Sequence, residues 1–129
     1  MASGLLKAYR DEVRLTRQHG VKETSFYPAL KTLFDAVGGE LKPKVTLILH
    51  PRSQGAGIPD GGLFLDTRAR RAGLQDLFVD DNTLPDRGAI EVKPSTDDVD
   101  VVANSQQGQK YISKYGHLLV TNLRHFALY

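Results

Sequence analysis

Early in the chain apolar residues recur at helical intervals, and from Val45 onward they gather into short strand-like runs. Leu5, Leu6, Tyr9 and Val13 alternate with Lys, Arg, Asp and Glu, which predicts an amphipathic helix ending near His19-Gly20. Phe26, Leu30, Leu33, Phe34 and Val37 form a second helical stripe, with Thr24 or Ser25 as its cap. Pro28 is tolerated in a first turn, and Gly38-Gly39 predicts the end. Val45-Thr46-Leu47-Ile48-Leu49 reads as a strand, Leu63-Phe64-Leu65 as a short second one, and Ala89-Ile90-Glu91-Val92 as a third, cut off by Pro94.

Between these strands the patterning is weak. His50 to Gly62 carries two Pro and four Gly and predicts a loop. Residues 67–88, with Arg68, Arg70, Arg71 and an Asp80-Asp81-Asn82 turn, read as mostly loop with one helical turn. An acidic turn of Asp97, Asp98 and Asp100 caps a helix from Ser105 to Tyr115, which Gly116 ends. Leu118–Thr121 and Phe126–Tyr129 complete the strands. The late strand–helix–strand unit predicts a right-handed crossover with local parallel pairing. The expected fold class is α/β, with a mixed central sheet of about five strands flanked by helices.

Composition narrows the function classes. The 129 residues suit one domain with its own core. No apolar run approaches the roughly 18 residues of a membrane span, and the start lacks a secretory signal pattern. The expectation is therefore a protein without membrane association. The absence of cysteine excludes disulfides and thiolate zinc sites, and it agrees with a cytoplasmic location. A net charge of +2 gives no strong nucleic-acid footprint, but a nuclease cleft places local acid beside local base, and the two nearly cancel in a net count. The apolar Phe126–Tyr129 run to the last residue suggests a domain belonging to a longer polypeptide.

The chemistry-bearing residues form an ordered set. Ile58-Pro59-Asp60-Gly61 is followed by Ile90-Glu91-Val92-Lys93, which spells P-D, a spacer, then E-x-K. Two neighbouring carboxylates are hard oxygen ligands suited to Mg²⁺ or Mn²⁺. An ammonium beside them can orient a water and favour its deprotonation. Glu91 and Lys93, two apart on a strand, point to one face, and Val92 points to the other while its backbone carbonyl is a candidate additional metal ligand. Each half alone has an ordinary explanation: Pro-Asp-Gly is a common turn, and Glu and Lys flanking Val suit a solvated strand face. Gln107-Gly108-Gln109-Lys110-Tyr111 adds Q-x-x-x-Y, one helical turn apart, where the amide can hold a phosphate or water with the Tyr hydroxyl in support. Its alternative is a surface Gln and a core-edge Tyr. Glu23 is a further candidate metal ligand, or a charge at the positive end of a helix dipole.

In order and placement these residues resemble the PD-(D/E)XK signature of Mg²⁺-dependent nucleases. A broader likeness covers most of residues 22–129: Glu23-Thr24-Ser25-Phe26-Tyr27-Pro28-Ala29-Leu30, Gly57-Ile58-Pro59-Asp60, Ile90–Lys93 and Leu119–Phe126. Those segments resemble the N-terminal nuclease domain of single-polypeptide restriction–modification enzymes, where it is fused to an adenine-N6 DNA methyltransferase. The resemblance implies a restriction-endonuclease-like fold, cleavage of unmodified foreign DNA, and products with 5′-phosphate and 3′-hydroxyl ends. It implies Asp60 and Glu91 as metal ligands, with Val92 and Glu23, and Lys93, Gln107 and Tyr111 as the catalytic support. No N-P-P-[YF] motif or S-adenosylmethionine-binding glycine motif occurs. Methyltransferase, target-recognition and any helicase motor domains therefore lie elsewhere in the longer polypeptide.

Other signals are weaker. His19, His50, His117 and His125 form no H-E-x-x-H pair, and Gln54-Gly55-Ala56-Gly57 lacks the ending of a phosphate-binding loop. Arg68, Arg70, Arg71 and Arg124 are candidates for phosphate contacts, or a solvated basic face. Two rivals stand beside the nuclease: a catalytically inactive nuclease-fold domain for DNA binding or assembly, and an unrelated α/β module. The complete Asp-Glu-Lys set argues against the first. Carboxylates of Asp60 and Glu91 too far apart to share an ion would favour the second.

Overall fold

The computed structural model describes residues 2–19, 22–49, 58–71 and 84–129. The expected loop at 50–57, with its Gly-rich Gln54–Gly57 segment, and the Asp80–Asn82 turn lie outside the described residues, as does the Arg71 side chain. The elements are α1 (Ala2–His19), a 3-10 turn (Glu23–Phe26), α2 (Tyr27–Gly38), β1 (Val45–Leu49), β2 (Gly61–Leu65), α3 (Asp66–Arg71), β3 (Ala89–Val92), α4 (Val99–Asn104), α5 (Gln106–Tyr115), β4 (Leu118–Thr121) and β5 (Phe126–Leu128). The strands form one mixed sheet in the order of the chain, parallel between β3 and β4 and antiparallel elsewhere. The parallel pair is the one bridged by helices α4 and α5, which supply the long return that parallel pairing needs.

Each sheet face buries its own cluster. Ile90 and Val92 point to α1 and α2 and pack with Tyr9, Val13, Leu30 and Leu33. Ala89, Leu118 and Val120 point the other way and pack with Ala103, Tyr111 and Tyr115 of α4 and α5. All four residues of β3 are buried, as expected for a strand covered on both faces.

Several local expectations are corrected. Thr24 and Ser25 do not cap α2 with their side chains; the chain tightens into the 3-10 turn, and the Tyr27 N–H bonds to the Thr24 carbonyl instead. Pro28 in the first turn needs no backbone partner. Val37 is exposed, and the buried positions on α2 are Ala29, Leu30, Leu33 and Gly38. Leu6 is exposed on α1, and only Tyr9 and Val13 of the predicted stripe are fully buried. The acidic turn starts a separate helix, α4: the Asp98 side chain accepts the N–H groups of Asp100 and Val101 at 2.8 and 3.2 Å. Ser105 then caps α5 by accepting from Gly108 at 3.0 Å, and Gly116 ends it at a φ of 84°.

Strand β2 starts earlier than its apolar triplet suggests, at Gly61. A methyl group at Gly61 would overlap the Ile48 carbonyl oxygen and lie 2.9 Å from Leu49 Cδ2 and 3.1 Å from Ile90 Cγ2. The missing side chain lets β1, β2 and β3 come together directly beside Asp60.

Candidate active site

Gly61 pairs with Ile90 and Gly62 with Ala89, so extending the register by one residue sets Asp60 opposite Glu91. Pro59 precedes Asp60 and has no N–H to offer a ladder. From this point side chains continue the pairing. Glu91 Oε1 accepts the Asp60 N–H at 3.2 Å, and Asp60 Oδ2 accepts the Val92 N–H at 2.7 Å. The end of β3 is fixed on its other side, where the Lys93 N–H donates to the Thr121 carbonyl at 2.8 Å.

Lys93 Nζ lies 3.4 Å from Glu91 Oε2. Glu91 is 6% exposed, which removes the solvated-strand explanation for it. Burial, and then the adjacent Asp60 carboxylate, raise the Glu91 pKa well above the usual carboxylate range, with Lys93 pulling the other way. Burial of Lys93 disfavours its charge, but Glu91, followed by Asp60 and Glu23, outweighs this and holds the ammonium above its ordinary value.

Glu23 sits in the 3-10 turn and faces the same centre. Its pKa is raised by burial and then by Asp60, with Lys93 and the Tyr27 hydroxyl opposing. The Tyr27 hydroxyl donates to Glu23 Oε2 at 3.4 Å. Burial, Asp60 and Glu23 raise the Tyr27 pKa, so this hydroxyl remains a donor. On the other side of the pair, Tyr111 is buried and pushed up to about 12 by burial and then by Glu91 and Asp60. Gln107 is exposed on α5, and its Nε2 donates to the Tyr111 hydroxyl at 2.9 Å. The Q-x-x-x-Y pair is thus one bonded unit that reaches the acidic centre through its tyrosine.

The donor set suits a hard divalent cation. Two carboxylates are drawn together against their own repulsion, and every candidate donor is oxygen. Among the described residues no group of three or more His, Cys, Asp or Glu side chains is disposed to hold a metal ion. A cation here would rest on Asp60 and Glu91, with a backbone oxygen such as that of Val92, and complete its shell with water or phosphate, as Mg²⁺ does. Glu23 lies beside the pair, within electrostatic reach of Asp60 and Lys93, and accepts from the Tyr27 hydroxyl.

Sequence reasoning missed Tyr27, although it lies within a segment quoted for the resemblance, and it missed Arg17. A cleft of about 280 Å³ beside Lys93 is lined by Arg17, Glu23, Phe26, Lys93, Ser95 and Leu123. The arginines that the sequence singled out divide differently. Arg68 pairs with Asp86 at 2.8 Å and Arg70 with Asp66 at 2.7 Å, so both serve the neighbourhood of α3. Arg124 is exposed.

Among the described residues no helix is long and apolar enough to cross a membrane. No protein-family model, curated protein or solved structure matches the chain.

Proposed function

We propose that the chain is a metal-dependent deoxyribonuclease domain that hydrolyses phosphodiester bonds of DNA, using Mg²⁺ with Mn²⁺ as a substitute. One observation carries this reading: the buried Glu91 and the half-buried Asp60 converge as an acidic pair with the Lys93 ammonium 3.4 Å from Glu91. A structural ion pair has no need of the second carboxylate, whose repulsion it must bear.

When bound, a divalent cation neutralises the pair and polarises a phosphate oxygen. Asp60 and Glu91 would hold it, with the Val92 carbonyl as a further oxygen donor. Lys93 Nζ, kept charged by Glu91, donates to the attacking water and favours loss of its proton. Gln107, braced on Tyr111, presents its amide to the phosphate or the water. Tyr27 fixes Glu23 beside Lys93 as a positioning residue. In-line attack by water leaves a 5′-phosphate and a 3′-hydroxyl. The PD-(D/E)XK, restriction-endonuclease-like character of the fold belongs to the same proposal. It is supported by the mixed sheet, in which β3 and β4 run parallel, and by the position of the acidic pair where β2 begins and β3 ends. Restriction of foreign DNA, with methyltransferase, target-recognition and helicase parts on a longer polypeptide, is its biological extension.

The test is nicking of supercoiled plasmid in Mg²⁺ or Mn²⁺, beside EDTA and Lys93→Ala controls. Metal-dependent nicking that falls by about 100-fold or more in the folded variant is expected, the scale of a lost proton-transfer residue. Equal cleavage by Lys93→Ala overturns the assignment.

A further inference from the structure

A second, larger groove of about 450 Å³ runs between α1 and the β5 edge of the sheet. Its floor is apolar, formed by Tyr9, Val13, Leu123 and Phe126, with the exposed Leu6 at one side. Its rim is cationic. Arg10, Arg14 and Arg17 follow one another at helical spacing along one face of α1, and Arg124 faces them from the turn before β5. All four are exposed, and none is ion-paired among the described residues. The Lys7–Asp11 pair of α1 takes no part in the lining. Four guanidinium groups around one groove, in a chain of net charge only +2, are a concentration of positive charge without a carboxylate partner in a salt bridge among the described residues, although Arg17 also rests over the Phe26 ring at 5.9 Å.

The groove adjoins the cleft beside Lys93. Arg17 and Leu123 line both this groove and the cleft that holds Glu23 and Lys93. The junction is tied by hydrogen bonds. Leu123 adopts a φ of 77°, held by its N–H on Thr121 Oγ1 at 3.0 Å and by the Tyr9 hydroxyl on its carbonyl at 2.9 Å. The buried Asn122 accepts the N–H groups of Arg124 and His125 at 3.0 and 2.7 Å, which sets the direction of the Arg124 backbone.

An apolar floor with a guanidinium rim distinguishes between forms of nucleic acid. A duplex offers phosphates but keeps its base faces stacked inside, whereas an unpaired strand offers both phosphates and bases. Resting on the deoxyribonuclease reading, we propose that an unpaired DNA strand lies in the α1–β5 groove. Its phosphates are on Arg10, Arg14, Arg17 and Arg124, its bases are against the Leu6–Phe126 floor, and it runs past Arg17 to the Lys93 cleft.

The test is fluorescence anisotropy in EDTA, where no cleavage occurs. It uses a labelled single-stranded oligonucleotide, the corresponding duplex, an abasic strand of equal length and an acidic amphipathic peptide. The full chain binds the single strand most tightly. In Arg10→Gln/Arg14→Gln, checked for an unchanged melting temperature, affinity falls at least tenfold. The slope of log K against log salt becomes shallower by about 1.4, the loss of two single-strand phosphate contacts. Three results overturn the proposal: unchanged binding by the double variant, an abasic strand bound as well as the normal one, or preference for the duplex or the peptide. The plasmid assay separates this from the nuclease reading. Single-strand binding that the double variant loses, without any metal-dependent nicking, leaves the groove standing and removes the nuclease.

Discussion

Glu91 Oε1 accepts the backbone N–H of Asp60 at 3.2 Å, so one member of the acidic pair grips the main chain of the other. Asp60 in turn grips the Val92 N–H with Oδ2. The spacing of the two carboxylates is therefore set by strand register rather than by rotamer choice, and disturbing either residue disturbs the sheet end as well as the charge.

That coupling predicts an inverted response to pH. Glu91 holds its proton more tightly in the folded state than in the unfolded chain, and Glu23 does the same. Their stabilising contribution is complete below the ordinary carboxylate pKa and is lost as pH rises through the raised folded values. Melting temperatures should decline across that window, and Mg²⁺ should raise them more at pH ~8.5 than at pH ~5, because the cation favours the ionised pair. Glu91→Gln should flatten the decline and abolish the Mg²⁺ gain. Parallel pH profiles for the two proteins would sink the assignment.

Glu23 accepts the Tyr27 hydroxyl beside the pair, and on the proposed mechanism, with Asp60 and Glu91 holding the cation, Glu23→Gln should spare cleavage at saturating metal. It should raise the Mg²⁺ concentration needed for half-maximal rate by about tenfold, as losses around a metal's own ligands do. Complete inactivity at high Mg²⁺ would make Glu23 a direct ligand.

Gly61→Ala should destabilise the fold by about 1–3 kcal/mol, because the added methyl meets the Ile48 carbonyl and the Leu49 and Ile90 side chains. Urea unfolding measures this directly. Cleavage should fall further than stability alone explains, since β2 must shift just where Asp60 is held.

Asn122→Ala removes the acceptor of two N–H groups and the donor to the Asp97 carbonyl at 2.8 Å. A cost of about 1–3 kcal/mol is expected, the scale of buried groups left unsatisfied. An unchanged denaturation midpoint would show that the turn holds without its asparagine.

Much of this architecture can be read from the residues. Hydrophobic alternation and Pro94 locate β3 to the residue, and the order of P-D and E-x-K places Asp60 in the loop entering one strand and Glu91 on the next, which the structure makes neighbours. What escaped was assembled over distance. Arg10, Arg14 and Arg17 look like the solvated face of an ordinary amphipathic helix until Arg124 and Phe126 arrive from the far end of the chain. The cap of α2 was misread because Thr24 and Ser25 have the right chemistry, while backbone carbonyls in a 3-10 turn took the bonds first. Helix α4 is too short, at six residues, to show a period.

The Tyr9 hydroxyl bond to the Leu123 carbonyl has a consequence for the order of events during translation. Asp60, Glu91 and Lys93 are synthesised well before Leu123, Arg124 and Phe126, yet the groove beside them requires α1 to dock on those late residues. The Lys93 N–H likewise waits for Thr121 of β4. A nascent chain stalled before residue 121 carries Glu23, Asp60 and Glu91 but neither the braced end of β3 nor the arginine-rimmed groove. The sheet end beside Asp60 and the α1–β5 groove are thus completed only after β4 and β5 are made, when a contact spanning 114 positions ties α1 to the turn before β5.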